Sequence, residues 1–396
     1  MNAPSNLSGK LTVKRDQLLV ILTVVSIIIL FFLGVMRETN GVGRHLQIAA
    51  PTADHFEKRS IDTYATLQAE KRIGYIAIAE ADGYGGPLKI AVATDLEGKI
   101  VGLSVIKQRE TPSWYQKIIN ADFFQTIIGK KAGDPFQIGN DVDGVSGASS
   151  SSRAITEAAR TASLNIAWNQ LNLDIPKPAS PKIQFGIPEI VLSLLIISWF
   201  INQVGRFPYK KQLRWAGLLT SLVFIGFLYN TPLTLSFVNK MLMGYWPAWQ
   251  IHLYWYILIG FVLVAFFWKS KNAYCNSICP FGAAQECINA LAGAKARSPS
   301  RFHGLFKWLQ RSLVWGAILL ALLFRNPGLS SYEIFGNLFD LSGSTYQFIV
   351  LGLVMIAAVF IKRPWCRYLC PIGSIFDFAK FNRNWIKTKW TQLKVR

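Results

Sequence analysis

The sequence predicts a polytopic α-helical membrane protein of about six spans with an α+β domain inserted after the first span. Three observations carry this. Apolar residues make up 51% of the 396-residue chain but are bunched into long runs. The first run, Leu18 to Val35, holds no charge among eighteen residues. Between the first run and the second, residues 37–186 read instead as strand-length segments and polar turns.

The first run follows Lys10, Lys14 and Arg15 and leads directly into Met36-Arg37-Glu38. A cleaved signal peptide has a shorter apolar core and small residues behind it, so residues 1–36 read as an uncleaved signal anchor. The inserted domain occupies residues 37–186. Residues 51–69 read as a helix; Ile73–Ala79, Leu88–Thr94 and Ile100–Ile106 read as strands of a mostly antiparallel sheet. A helix starting at Arg153 follows, and Pro176 to Pro181 form a stiff linker. Five further runs fall in a membrane domain over residues 187–361: 187–204, 215–229, 251–268, 312–324 and 346–361. The run 312–324 is short and needs Leu305–Leu309 to complete it. Residues 362–396 form a tail.

Charge sets the orientation. Segments 1–17, 205–214, 269–311 and 362–396 hold 23 Lys and Arg against three acids. Loops 230–250 and 325–345 hold only Lys240 and Arg325. Cytoplasmic segments carry such an excess, so both termini fall inside and the inserted domain is extracytoplasmic. This asymmetry, with attraction to anionic lipid, accounts for the formal charge of +20 and leaves a nucleic-acid role unsupported.

Residues Asp143 to Ser152 (Asp-Gly-Val-Ser-Gly-Ala-Ser-Ser-Ser-Ser) join a turn to a helix. Serines there can cap the helix, or the free amides and positive dipole end can hold an anion such as a phosphate. The turn Gln108 to Tyr115 can be a strand-to-helix connection with Pro112 at the first helical position, or it can present Thr111 and an aromatic ring to a ligand. Tyr84-Gly85-Gly86-Pro87 reads equally as a structural hairpin or a cofactor cover.

Asp143, Ser146, Gly147, Ala148, Ser149 and Ser151 fill a motif that resembles the flavinylation site of the FMN-binding domain of NqrC, RnfG and NosR-type membrane flavoproteins. The resemblance implies FMN esterified through its phosphate to Ser149 by a separate flavin transferase. Ser149 stands where the family usually has threonine, and Ser150 is an adjacent hydroxyl. Glu110, Thr111 and Pro112 resemble the family turn that faces the isoalloxazine ring.

The five cysteines are too few for a disulfide scaffold. Cys275/Cys279 and Cys366/Cys370 form an internal repeat, Cys-x3-Cys-Pro with a glycine two residues on. Four convergent thiolates suit an iron–sulfur cluster or zinc, and cytoplasmic placement disfavours disulfides. The repeat resembles that of NosR, NapH and PceC-like membrane proteins, which implies a 4Fe-4S cluster; zinc stays as the lesser alternative. The x3 spacing departs from the usual x2 of cluster motifs. Cys287 reads as a buried helix residue. His252 sits among aromatic residues typical of a membrane interface. The resemblance is to the short, PceC-like form, without C-terminal ferredoxin clusters.

These readings imply an electron-transfer flavoprotein of the bacterial inner membrane. It would pass electrons between quinol or a cytoplasmic donor, the cysteine centre and FMN, toward a periplasmic reductase or its maturation proteins. A second copy of the chain is a candidate partner. A regulatory or assembly role for a respiratory reductase is the alternative. An ion pump is disfavoured, because the only acid in a predicted span is Glu189, near an end. One difficulty stands: cysteines inside and flavin outside are separated by a hydrocarbon core of about 30 Å. A quinone, a deeper cluster or a dimer partner would have to bridge it.

Overall fold

A computed structural model describes residues 6–37, 41–110, 112–146, 148–177, 183–204, 208–269, 272–293 and 303–394. Helix α1 (Asn6–Arg37) leads through α2 (Val42–Ala49) into a five-stranded antiparallel meander in the order β1-β2-β3-β4-β5. The strands are β1 (His55–Lys58), β2 (Thr63–Gln68), β3 (Lys71–Asp82), β4 (Pro87–Asp95) and β5 (Ile100–Lys107). Helices α3 (Pro112–Asn120) and α4 (Ser149–Asn169) complete this domain. Most of the expected linker, from residue 178 on, lies outside the described residues.

The three expected strands form, but the helix expected over 51–69 does not. That stretch holds β1 and β2, with α2 ahead of it. Thr63, Tyr64 and Thr66 fit a pleated surface, and Ala65 pairs with Tyr75 of β3. A two-residue turn closes the β2–β3 hairpin with Ala69 and Glu70 both at positive φ, 48° and 62°. Such turns normally advertise themselves by Asn or Gly. Here neither residue does, so the hairpin was hidden in the sequence.

The sheet is covered on both faces. Ala158, Ala159 and Ala162 of α4 pack with Ile90 and Val92 on one side; Leu46 and Ala49 of α2 pack with Ile76 and Ala91 on the other. Small side chains let α4 lie close to the strands, so its N-terminus is rigidly placed.

The remaining helices are α5 (Ile187–Val204), α6 (Lys210–Thr220), α7 (Leu235–Leu242), α8 (Leu253–Lys269), α9 (Ala273–Ser277), α10 (Pro280–Leu291), α11 (His303–Phe324), α12 (Phe335–Phe339), α13 (Thr345–Phe360), α14 (Pro364–Tyr368) and α15 (Pro371–Lys394). The first apolar run lies in α1, and each of the five later runs coincides with one of these helices. The run 215–229 continues α6 as a π-helical stretch, Ser221–Leu228. Leu305–Leu309 do belong to α11. Among the described residues two helical segments, Gln17–Arg37 and Gly304–Phe324, are long and apolar enough to cross a membrane. Ile187–Gln203, Leu253–Trp268 and Thr345–Phe360 are apolar but shorter. Helix α1 leans on α11, where Gly34 meets the Leu322 backbone and the Trp315 indole donates to Ser26 Oγ at 3.2 Å.

Glu189 lies in the first turn of α5 and accepts from the Gly186 amide at 2.9 Å, a helix-start role. Loops 230–250 and 325–345 are built from α7, α12 and tight turns, and they carry the α+β domain. The Lys240 ammonium of the first and the Arg325 carbonyl of the second take part in the holding. Lys240 Nζ donates to Gly83 O at 2.6 Å, and Arg109 Nε of the α+β domain donates to Arg325 O at 3.0 Å. Lys117 Nζ reaches Ser342 Oγ at 2.6 Å. Lys240 is buried, so Lys240→Met should cost about 1.5–3 kcal/mol, the worth of a hydrogen bond from a charged group. Thermal unfolding of purified full-length protein reads this as a lowered Tm; an unchanged Tm contradicts the contact.

Candidate functional site

The serine cluster sits at the start of α4, as the sequence predicts. Serine capping is not what it does: the N-cap is Ala148, with no side-chain cap. Ser149 and Ser150 are exposed, while Ser151 and Ser152 are turned inward. Ser152 Oγ donates to Ala148 O at 3.1 Å and accepts from the Val145 amide at 3.3 Å, fixing the preceding loop. An uncapped helix start with two exposed hydroxyls on its first turn fits a phosphate group. Asp143 and Ser146 are exposed beside it and Ala148 is buried; Gly147 and Thr111 lie outside the described residues.

Glu110 does something the sequence did not reveal. It is fully buried, and Ser151 Oγ donates to its Oε2 at 2.7 Å. Burial pushes the carboxyl pKa up; the Ser151 hydroxyl, the Lys240 charge and the Gly85 and Tyr84 amides oppose that. Any side chain at Gly83 would strike Glu110 Oε1, and one at Gly85 would strike Arg109 O. Glu110 thus packs between the start of α4 and the Gly83–Gly86 hairpin, with Oε2 held by Ser151 and Oε1 buried without a hydrogen-bond partner. Pro112 starts α3 and is exposed. Tyr84 and Trp114 meet edge to face, ring centroids 4.4 Å apart.

The cysteine repeat is equally regular in three dimensions. In the first motif, the amides of Ile278 and Cys279 both donate to Tyr274 O; in the second, those of Leu369 and Cys370 both donate to Trp365 O. Each following proline starts a helix, α10 and α15. Gly282 lies against Cys275 O and Gly373 against Cys366 O, so each glycine lets its helix approach its own motif. The motifs interlock through Arg363, which donates to Cys275 O at 2.6 Å and pairs with Glu286 at 3.0 Å, and through Gln285, which reaches Cys366 Sγ at 3.3 Å and accepts from the Trp365 amide. Arg214 closes on Glu286 at 2.7 Å.

Cys279 and Cys370 are buried, Cys275 and Cys366 half-buried, and Cys370 lies within electrostatic reach of the other three. None is in a disulfide. Among the described residues no three His, Cys, Asp or Glu side chains converge on a single metal-ion position. The donor set is four sulfurs in an apolar enclosure beside an arginine, chemistry that fits an iron–sulfur cluster. Cys287 is half-buried on α10, not buried as expected, and stands apart from the quartet.

The sequence placed these motifs in loops on the side opposite the α+β domain. Both motifs fold back into the helical core and touch the loops that carry the α+β domain. Tyr274 Oη accepts from the Leu233 amide at 2.7 Å, Tyr332 Oη donates to Leu369 O at 3.2 Å, and Ser221 Oγ donates to Ile278 O. Phe281 packs on Phe335 with centroids 5.0 Å apart; Trp365 lies 6.0 Å from Phe281 and 6.4 Å from Tyr332. Phe335, in turn, lines a cavity with Tyr84 and Trp114. Aromatic contacts through Phe281 and Phe335 therefore form a layer that links the cysteine motifs to the cavity beneath Tyr84 and Trp114. No pattern in the sequence announces this layer, because the pairing of Tyr332 with Leu369 is tertiary.

A family model described as FMN-binding domain matches residues 83–163, and one described as 4Fe-4S binding domain matches residues 251–299 and 346–391. The chain is thus a protein of FMN and an iron–sulfur cluster, and the match favours iron over zinc. It is similar to NosR-type proteins. It is 28% identical to Regulatory protein NosR of Pseudomonas aeruginosa over 60% of this chain and 34% of that protein. It is 27% identical to Protein NirI of Paracoccus denitrificans over 48% of this chain and 30% of that protein. Over 30% of this chain and 67% of the other, it is 29% identical to a component of the proton-translocating ferredoxin:NAD(+) oxidoreductase complex of Clostridium ljungdahlii. The chain spans about a third of the length of NosR and NirI.

Proposed function

We propose that this chain is a membrane-bound electron-transfer flavoprotein. Electrons from quinol or a cytoplasmic donor pass between an iron–sulfur cluster on Cys275, Cys279, Cys366 and Cys370 and an FMN esterified to Ser149. From there they go to an extracytoplasmic reductase or its maturation proteins. The observation that carries this reading is the run of aromatic contacts from Phe281 through Phe335 to the cavity under Tyr84 and Trp114, which links the cysteine motifs to the FMN-binding domain. A deeper cluster, the second of the three bridges raised by the sequence, makes the crossing short.

Each residue has a task in this reading. Ser149 offers the hydroxyl for attachment, and the amides of the first turn of α4 hold the phosphate. Asp143, Ser146, Gly147 and Ala148 shape the approach for the flavin transferase. Glu110 and Ser151 lock the hairpin and helix together; Thr111 and Pro112 border the ring. FMN exchanges one or two electrons and so joins a one-electron cluster to a two-electron partner. Arg363 places a positive charge beside the cysteines, which favours the reduced, more negative cluster.

Six spans, with both termini cytoplasmic and the FMN-binding domain outside the inner membrane, fit the charge asymmetry and the six apolar helices. Similarity to proteins named as regulatory supports a second reading, in which the same redox pair serves maturation or signalling. Anaerobic stopped-flow reduction with a short-chain quinol separates the two. Flavin reduction in catalytic time supports electron flux. Slow reduction that leads to no turnover supports the regulatory role.

A further inference from the structure

The junction between the FMN-binding domain and the helical core holds a cavity of about 40 Å³, lined by Tyr84 and Trp114 on one side and Asn230, Thr234, Glu333 and Asn337 on the other. A single water needs about 10–15 Å³ of such space, so there is room for two or three waters. Glu333 is 5% exposed. Its Oε1 accepts from the Leu235 amide at 2.5 Å, while Oε2 has no partner. Asn337 Nδ2, also buried, has none either. Unpaired buried polar atoms around a water-sized space mark a hydrated site.

We propose that Glu333 and this hydrated cavity form the proton-handling site of the redox pair. The inference rests on the reading that electrons pass between the iron–sulfur centre and the flavin. Two-electron reduction of a flavin takes two protons and two electrons, which would arrive one at a time from the iron–sulfur centre, oxidised at each step and re-reduced between them by the quinol or cytoplasmic donor. Glu333 breaks its O–H bond and gives one proton to the cavity water on the flavin side. The carboxylate recovers a proton from outside water, and the second proton follows by the same route. Burial raises the Glu333 pKa to about 8, offset only by the Leu235 amide, so the group is protonated and ready to donate at neutral pH. Tyr84 and Tyr332 are the titratable groups facing it; both phenols are pushed up by burial and stay neutral. Lys240, on the neighbouring α7, is committed to Gly83 O, and Glu110 lies beyond Tyr84.

Rapid-mixing reduction of the flavin by a soluble mediator in the full-length holoprotein, from pH 6 to 9.5, tests this. The rate of flavin reduction should fall as pH rises through about 8 in wild type, where Glu333 loses its proton. Glu333→Gln, which keeps the acceptor for the Leu235 amide, should be slower at neutral pH and lose this step; Glu333→Asp should retain one at a shifted pH. Superimposable wild-type and Glu333→Gln rate profiles overturn the proposal. Mediators reduce the flavin whatever its natural donor, so this outcome is independent of the electron path, which the quinol experiment tests separately. In infrared titration, the protonated-carboxyl band that persists to about pH 8 should vanish in Glu333→Gln; a band unchanged in that variant also overturns it.

Discussion

Ser149→Ala is expected to abolish the covalent flavin. Intact mass of the chain expressed with its flavin transferase should show one FMN adduct in wild type and none in this variant. The geometry sharpens the comparison with the neighbouring serines. Ser150 is exposed like Ser149, but it follows the Gly-Ala pair by two places, so Ser150→Ala should retain the adduct. Ser151 is buried against Glu110, so Ser151→Ala should act on stability. It removes the donor to a buried carboxyl, a loss of about 1–3 kcal/mol read by thermal unfolding. A full adduct in Ser149→Ala, or one that disappears only in Ser150→Ala, moves the anchor and defeats the assignment.

The second large effect concerns the sulfurs. Cys370→Ser should remove nearly all bound iron, because Cys370 is buried among the other three cysteines and a serine hydroxyl is a poor substitute for thiolate. Iron analysis and the visible absorption of the cluster measure this, with Cys287→Ser as the comparison that should keep both. The fold should survive, since the repeat is also held by Arg363, Gln285 and the two proline-started helices. Zinc in place of iron in the wild type, or undiminished iron in Cys370→Ser, contradicts the ligand set.

Much of this was legible in the chain. The six apolar runs have the length and composition of helices, three strands carry β-branched residues between glycine turns, and the cysteine repeat is explicit. What was hidden depends on unmarked turns and on contacts distant in sequence. The β2–β3 hairpin turns on Ala69 and Glu70, neither of which signals positive φ. The burial of Glu110 against Ser151 joins residues 41 positions apart. The depth of the cysteine motifs comes from Tyr274 reaching Leu233 and Tyr332 reaching Leu369. Lys240 and Arg325 were visible as the two cations that break the charge pattern; that Lys240 reaches Gly83 O of the FMN-binding domain while the Arg325 guanidinium turns to Tyr245 needed coordinates. Glu333 gave no signal at all, because a lone acid in a loop is ordinarily exposed.

The closeness of the two cofactor sites is tested most directly by the magnetic relaxation of the flavin radical in reduced, full-length protein. Relaxation should be markedly faster in wild type, where a paramagnetic cluster lies close by, than in Cys370→Ser, where the cluster is gone. Equal relaxation in the two proteins, with iron and FMN both present in the wild type, would mean that the sites lie far apart.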